Sequence, residues 1–232
     1  MNKMIQTAGN SSQRFKILIV VFNLDITRRE VPAFRGAIIN KVGRENVLFH
    51  NHLNQNFRYG YPLIQYKVLR SNPTIVCIND GTEEIHRFFE QTNWDITLHG
   101  EEIITEIKDL SFDYFNCGFS TRRLKYKIEN WFALNESNFK RFMQLNKDRE
   151  RIRFLERVMI GNIISFAKGI RWSINQQIEL AINHLPKQHS FTFKSHQMIG
   201  FNLSFTTNII LPDLIGLGKS ISRGFGVIRK VL

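Results

Sequence analysis

Cysteine is scarce in this sequence. Cys77 and Cys117 are the only two in 232 residues, too few for the disulfide framework that staples small secreted domains. Also missing is any uninterrupted apolar run of about 18 residues, the length a membrane-crossing helix needs. The greasiest stretch, Val158 to Ile170, is broken by Asn162 and Lys168 and reads as a buried helix. The first dozen residues lack the apolar middle region of a secretion signal. These absences give the expectation of a reduced, cytoplasmic protein with no membrane partner. Acid is short as well: 20 Asp and Glu stand against 32 Lys and Arg, leaving a net charge of +12 and a pI near 10.0. A polyanion is the natural partner for such a surface, and affinity for one should fall steeply with salt as counterions are released.

What is present is a folding composition, 43% hydrophobic with 20 Phe, long enough for two small domains or one large one. Residues 1 to 12 are polar and aperiodic and predict a mobile tail. Phe15 to Leu24 is an almost continuous β-branched and aromatic run, suited to a covered central strand. Pro32 can start a helix whose inward stripe is Phe34, Ile38 and Ile39, ending at Gly43. Val47 to His52 and Leu63 to Leu69 read as two strands that pair, followed by a strand at Thr74 to Ile78 and a helix at Glu83 to Glu90. Thr97 to Ile107 alternates and is expected to close the sheet. The order strand, helix, strand, strand, helix, strand is that of a ferredoxin-like unit. In the second half, Leu124 to Phe132 reads as a strand, Glu136 to Leu145 and Asp148 to Gly169 as helices, and Phe191 to Lys194, Met198 to Leu211 and Phe225 to Val231 as strands. The expected fold class is α+β, with a first domain over 13–118 and a second over 119–232.

Near the C-terminus, GLGKSISRGFG places Gly216, Gly218, Gly224 and Gly226 around Lys219 and Arg223. Glycine tolerates positive φ and lets backbone N–H groups approach phosphate oxygens. A Walker A loop would need glycine at Asp213, and a dinucleotide fingerprint would need it at Ile221. RGFGVI, from Arg223, partly matches the RNA-recognition-motif signature. The set resembles the glycine-rich loop of RAMP proteins; its structural alternative is a tight turn between strands.

His50 and His52 stand in LFHNHLNQNFRYGYPLIQYK. On a strand, both rings would point to one face. Ribonucleolysis could use such a pair, since a base must take the ribose 2′-OH proton and an acid must protonate the leaving 5′-oxygen, and imidazole titrates near neutrality. A zinc pair lacking further ligands and an ordinary surface pair are the other readings.

Taken with FRGAII at 34 to 39, the HNH triplet at 50 to 52, YPLIQYK at 61 to 67 and Asp80 to Thr82, the chain resembles the Cas-six family of CRISPR repeat endonucleases, closest to its b subgroup. That resemblance implies tandem ferredoxin-like or ferredoxin-related RAMP domains. It also implies metal-independent, cofactor-free cleavage of precursor RNA within its repeats, leaving a 2′,3′-cyclic phosphate and a 5′-OH. His50 and His52 match the family's active-site histidines. Tyr59 falls where a tyrosine can assist, and Arg58 or Lys67 could steady the phosphate's charge. Arg122, Arg123, Lys125 and Lys127 form a dense cluster that, on a strand, would present cations to both faces, and it is an RNA candidate. The competing reading is a non-cleaving RNA-binding RAMP subunit of an effector complex. Protein partners left open are effector-complex subunits and a second copy of the chain.

Overall fold

The structure, a computed structural model, describes residues 12–50, 52–53, 56–57, 60–193 and 196–231; most of the expected tail lies outside these. Strand β1 (Gln13–Phe22) leads through a single 3₁₀ turn, Arg28–Glu30, into helix α1 (Val31–Val42). Pro32 sits in the first turn of α1, where its missing N–H costs nothing. Gly43 closes the helix at φ 93°, its N–H donating to Ile39 O. A four-residue helix α2 (Val47–His50) and the two-residue strands β2 (His52–Leu53) and β3 (Asn56–Phe57) follow. Next come β4 (Ile64–Leu69), β5 (Asn72–Ile78), α3 (Asp80–Glu84) and α4 (His86–Phe89). The hairpin β6 (Ile96–Leu98) and β7 (Glu101–Ile103) precedes a 25-residue strand, β8 (Ile107–Trp131).

The first unit pairs in the order β8-β1-β5-β4, all antiparallel, the arrangement expected of a βαββαβ unit. Two details differ from the sequence reading. Val47 to His50 is helical and does not pair with β4, whose partner is β5. Burial of Phe49 against the α1 core outweighs the strand preference of a short Val-Leu-Phe run. The sheet is closed by β8; Thr97 and its neighbours instead fold on themselves, because His99 and Gly100 both adopt positive φ (56° and 89°) and form a two-residue hairpin turn.

The second half holds helices α5 (Glu136–Met143) and α6 (Asp148–Gly169) and strands β9 (Leu180–Ala181), β10 (Gln188–Phe193), β11 (His196–Ile210) and β12 (Val227–Lys230). Asn135 caps α5 by accepting from Asn138 N–H at 2.7 Å. Its strands run β12-β8-β11-β10, the same permutation as the first unit. The helix that would join the third and fourth strands is replaced by loop residues 211–226, the glycine-rich segment. Position 118, where the sequence suggests a change of unit, lies inside β8, so the last strand of one unit continues as the first strand of the next. The fold is α+β with antiparallel pairing throughout the sheets.

The near-continuous apolar character of β1 has its reason in burial on both faces. Leu18, Val20 and Phe22 pack under α1 and α4 with Phe34, Ile38 and Phe88. Phe15 and Ile17 face the other way, into a larger cluster shared with α6 and the second sheet. Phe166 of α6, fully buried, meets Phe15 edge-on at 5.9 Å and Tyr61 at 5.2 Å, so one ring joins the two units. Among the described residues no helix is long and apolar enough to cross a membrane. Truncating Phe166→Ala removes those contacts and leaves a cavity, so unfolding free energy should drop by about 3–5 kcal/mol, read as a lower urea midpoint at unchanged slope.

Candidate RNA-binding and active site

Loop 211–226 lies against the edge of the first unit. Gly216 N–H donates to Gln65 Oε1 at 2.9 Å, and Tyr61 Oη donates to Gly216 O at 2.8 Å. Arg223 bridges Tyr66 in parallel register, and Phe225 stacks on Phe132 with ring centroids 4.3 Å apart. The glycines divide by role. A Cβ on Gly226 would fall 1.9 Å from Leu217 O, and one on Gly218 would fall 2.8 Å from the Trp131 ring. Gly216 is buried against Ile221. These three are required by packing, whereas Gly224, at φ 85°, lines an open cavity beside Arg223 and Phe225. Lys219 is exposed, its N–H donating to Phe132 O.

That cavity, about 880 Å³, lies between the loop, the start of α1 and β12. Arg28, Arg29, Lys67, Arg223 and Arg229 line it with a single carboxylate, Glu129, which is paired with Arg28 at 2.5 Å. The first turn of α1 adds its positive dipole end. Behind it, half-buried Arg35 reaches from α1 over the Tyr66 ring (5.9 Å) and donates through Nη2 to His50 O at 2.8 Å. Arg35 Nε has no partner among the described residues. Burial lowers the Arg35 pKa from its ordinary value, the Tyr66 side chain opposes that, and the neighbouring charge of Arg223 adds to it; burial lowers Arg223 too. Two desolvated guanidiniums that repel one another are groups whose charge a phosphate oxyanion complements.

His50 ends α2, half-buried, with Nε2 2.6 Å from Arg44 O. A carbonyl only accepts, so Nε2 carries the hydrogen. The period-two argument for a shared face does not apply, because His50 is helical while His52 is in β2. The His52 side chain, and Arg58 and Tyr59 altogether, lie outside the described residues. Arg35 thus bonds to the His50 main chain and lies within electrostatic range of Arg223 in the glycine-rich loop.

Lys67 borders the cavity and is almost wholly enclosed. It is 1% exposed in β4, donating from Nζ to Gln65 Oε1 at 2.9 Å, and burial pushes its pKa down to about 7. Lys125 and Lys127 flank buried Tyr126 and so share one outer face of β8, and Lys127 lies directly opposite Arg229 of β12. These lysines and Arg229 make a cationic strip that reaches the cavity lining. Arg123 is held by Glu179 at 3.0 Å, and Arg122 is exposed. Arg28, Arg29, Arg35 and Arg229 were not picked out from sequence, where each looks like an ordinary surface charge. Among the described residues no three His, Cys, Asp or Glu side chains converge as metal ligands would.

Two family models match almost end to end: the Cas6b N-terminal domain over residues 13–116 and the Cas6b C-terminal domain over 118–231. A crystal structure of Cas6b superposes with a TM-score of 0.84 at 28% identity, covering 94% of this chain and 100% of that one. A second, of the CRISPR RNA processing endoribonuclease Cas6b, gives 0.72 at 27% identity, with 94% and 100% covered. An uncharacterized protein of Methanocaldococcus jannaschii is 28% identical over 140 residues, 59% of this chain and 92% of its own length.

The buried amine makes a sign-definite prediction. With its folded pKa near 7 and its ordinary value at 10.5, Lys67 binds a proton more readily in the unfolded chain throughout that window. Its destabilisation is complete below pH 7 and is relieved as pH rises toward 10.5. The difference in urea stability between the natural protein and Lys67→Met should therefore shift in favour of the natural protein from pH 7 to 10.

Proposed function

This chain belongs to the Cas6b family, and on that premise we propose that it cuts precursor CRISPR RNA within its repeats, with a ribose 2′-OH as nucleophile and no metal ion. One imidazole of the His50 and His52 pair takes the 2′-OH proton as the oxygen bonds to the adjacent phosphorus. The other gives a proton to the departing 5′-oxygen as its bond to phosphorus breaks. The products are a 2′,3′-cyclic phosphate and a 5′-OH, with protons balanced. Tyr59 and Arg58, seven and six residues beyond His52 in sequence, assist at the reacting atoms.

The observation that supports this reading best is the Arg35 bridge. It ties the α1 guanidinium to the His50 main chain and lies within electrostatic range of a second guanidinium, Arg223. Charge accumulates on the non-bridging oxygens in the transition state, and preoriented cations in a site of reduced dielectric stabilise it there. The lining arginines and the Lys125, Lys127 and Arg229 strip grip the backbone on either side, with Gly224 admitting a phosphate close to the main chain. Each phosphate so held should steepen the salt dependence of binding by about 0.7 for a single strand.

Incubation with repeat RNA in EDTA should give cut product, and a 2′-deoxy nucleotide at the cut site should abolish it. His50→Ala or His52→Ala should slow cleavage by about 10²- to 10⁴-fold while RNA binding persists. Full activity in both single variants and in the double variant would sink the assignment. RNA that is bound but never cut would favour a non-cleaving subunit.

A further inference from the structure

The described hydrogen bonds of β4 and its flank raise a question that RNA chemistry alone does not answer: why a lysine is enclosed at position 67. A methionine would fill that volume without desolvating an ammonium, and the described partner of Lys67 Nζ is a neutral amide oxygen, Gln65 Oε1. That same oxygen accepts from Gly216 N–H at 2.9 Å, while Gln65 Nε2 donates to Pro62 O at 2.9 Å. Lysine can only donate and a carbonyl can only accept. The two together fix the amide with its oxygen toward the loop, which is the orientation Gly216 N–H needs. Tyr61 Oη holds the other side of the same residue through Gly216 O. Seven residues on, Arg223 bridges Tyr66, and a Cβ on Gly224 would lie 3.3 Å from Tyr66 O. Both ends of the glycine-rich loop are thus seated on one edge strand of the other unit.

We propose that Lys67 and Gln65 are positioning residues that dock the glycine-rich loop on β4, so that it meets RNA phosphates as a fixed surface; this rests on the reading that RNA is the ligand. Lys67 borders the cavity but is 1% exposed, with Nζ turned to Gln65 Oε1. Lys67 acts through Gln65, and Gln65 acts through Gly216. A loop seated in advance loses little conformational freedom on binding, so the contribution appears in RNA affinity more than in the bond-breaking step.

The test uses the full chain, Lys67→Met and, as a second route to the same peptide, Tyr61→Phe. Hydrogen exchange without RNA should show residues 214–224 exchanging faster in both variants. Repeat-RNA Kd should weaken by about tenfold, the scale of one hydrogen bond, with the single-turnover rate at saturating protein falling by much less. A loss confined to the rate, or unchanged loop exchange and unchanged Kd in both variants, would overturn the proposal; so would a loosened loop with natural affinity. If the natural protein neither binds nor cuts repeat RNA, the functional reading fails separately, while loop exchange still decides whether the tether exists.

Discussion

A loop can offer its amides to a ligand only when its remaining hydrogen bonds are satisfied elsewhere, and that constraint governs residues 211–226. Leu217 and Gly226 bond to each other, Gly226 N–H reaches Asn130 O, and Gly216 is met on both sides by Tyr61 and Gln65. Buried main-chain groups left without partners would each cost about 1–3 kcal/mol. The loop is stable as a loop because its own residues, Asn130 and Phe132 of the second unit, and Tyr61 and Gln65 of the first together supply what a helix would have supplied internally. The cavity between the loop, the start of α1 and β12, and the approach of Arg223 to Arg35, follow from that docking.

The docking in turn needs the two units to hold a fixed relation. Continuity of β8 provides it through covalent backbone, and the Phe15, Tyr61 and Phe166 rings reinforce it through packing. Like charges can then be held near each other: Arg35 and Arg223 come from different units, and the repulsion between them is borne by this frame. The Arg28 to Glu129 pair, also between units, is exposed and adds little.

Sequence patterns revealed the elements whose burial is one-sided or complete. The run in β1, the Pro32 start and Gly43 stop of α1, and the long apolar stripe of α6 were legible because each carries its own signal. Val47 to His50 was not, since a four-residue helix is decided by where Phe49 is buried and not by local preference. The start of β8, with exposed Lys108, Asp109 and Asp113, has no buried alternation to betray a strand. Lys67 is legible only as a cation that could steady a phosphate; its enclosure beside Gln65 depends on the distant loop and has no local signal. Arg35 was hidden inside a helical stripe. The histidine pair was visible through family likeness, while spacing alone suggested a shared strand face that the helical turn at His50 removes.

The shared strand has one more implication. A chain broken between Cys117 and Gly118 would leave the first fragment its own four-strand order, β8-β1-β5-β4, and the second its own, β12-β8-β11-β10, each with a part of β8. What the break removes is only the peptide link, while the aromatic seam that Phe166 makes with Phe15 and Tyr61 persists as an adhesive face. The two pieces therefore have the makings of a complementing pair, inert apart and competent when mixed, because the guanidinium cluster is assembled only when both are present.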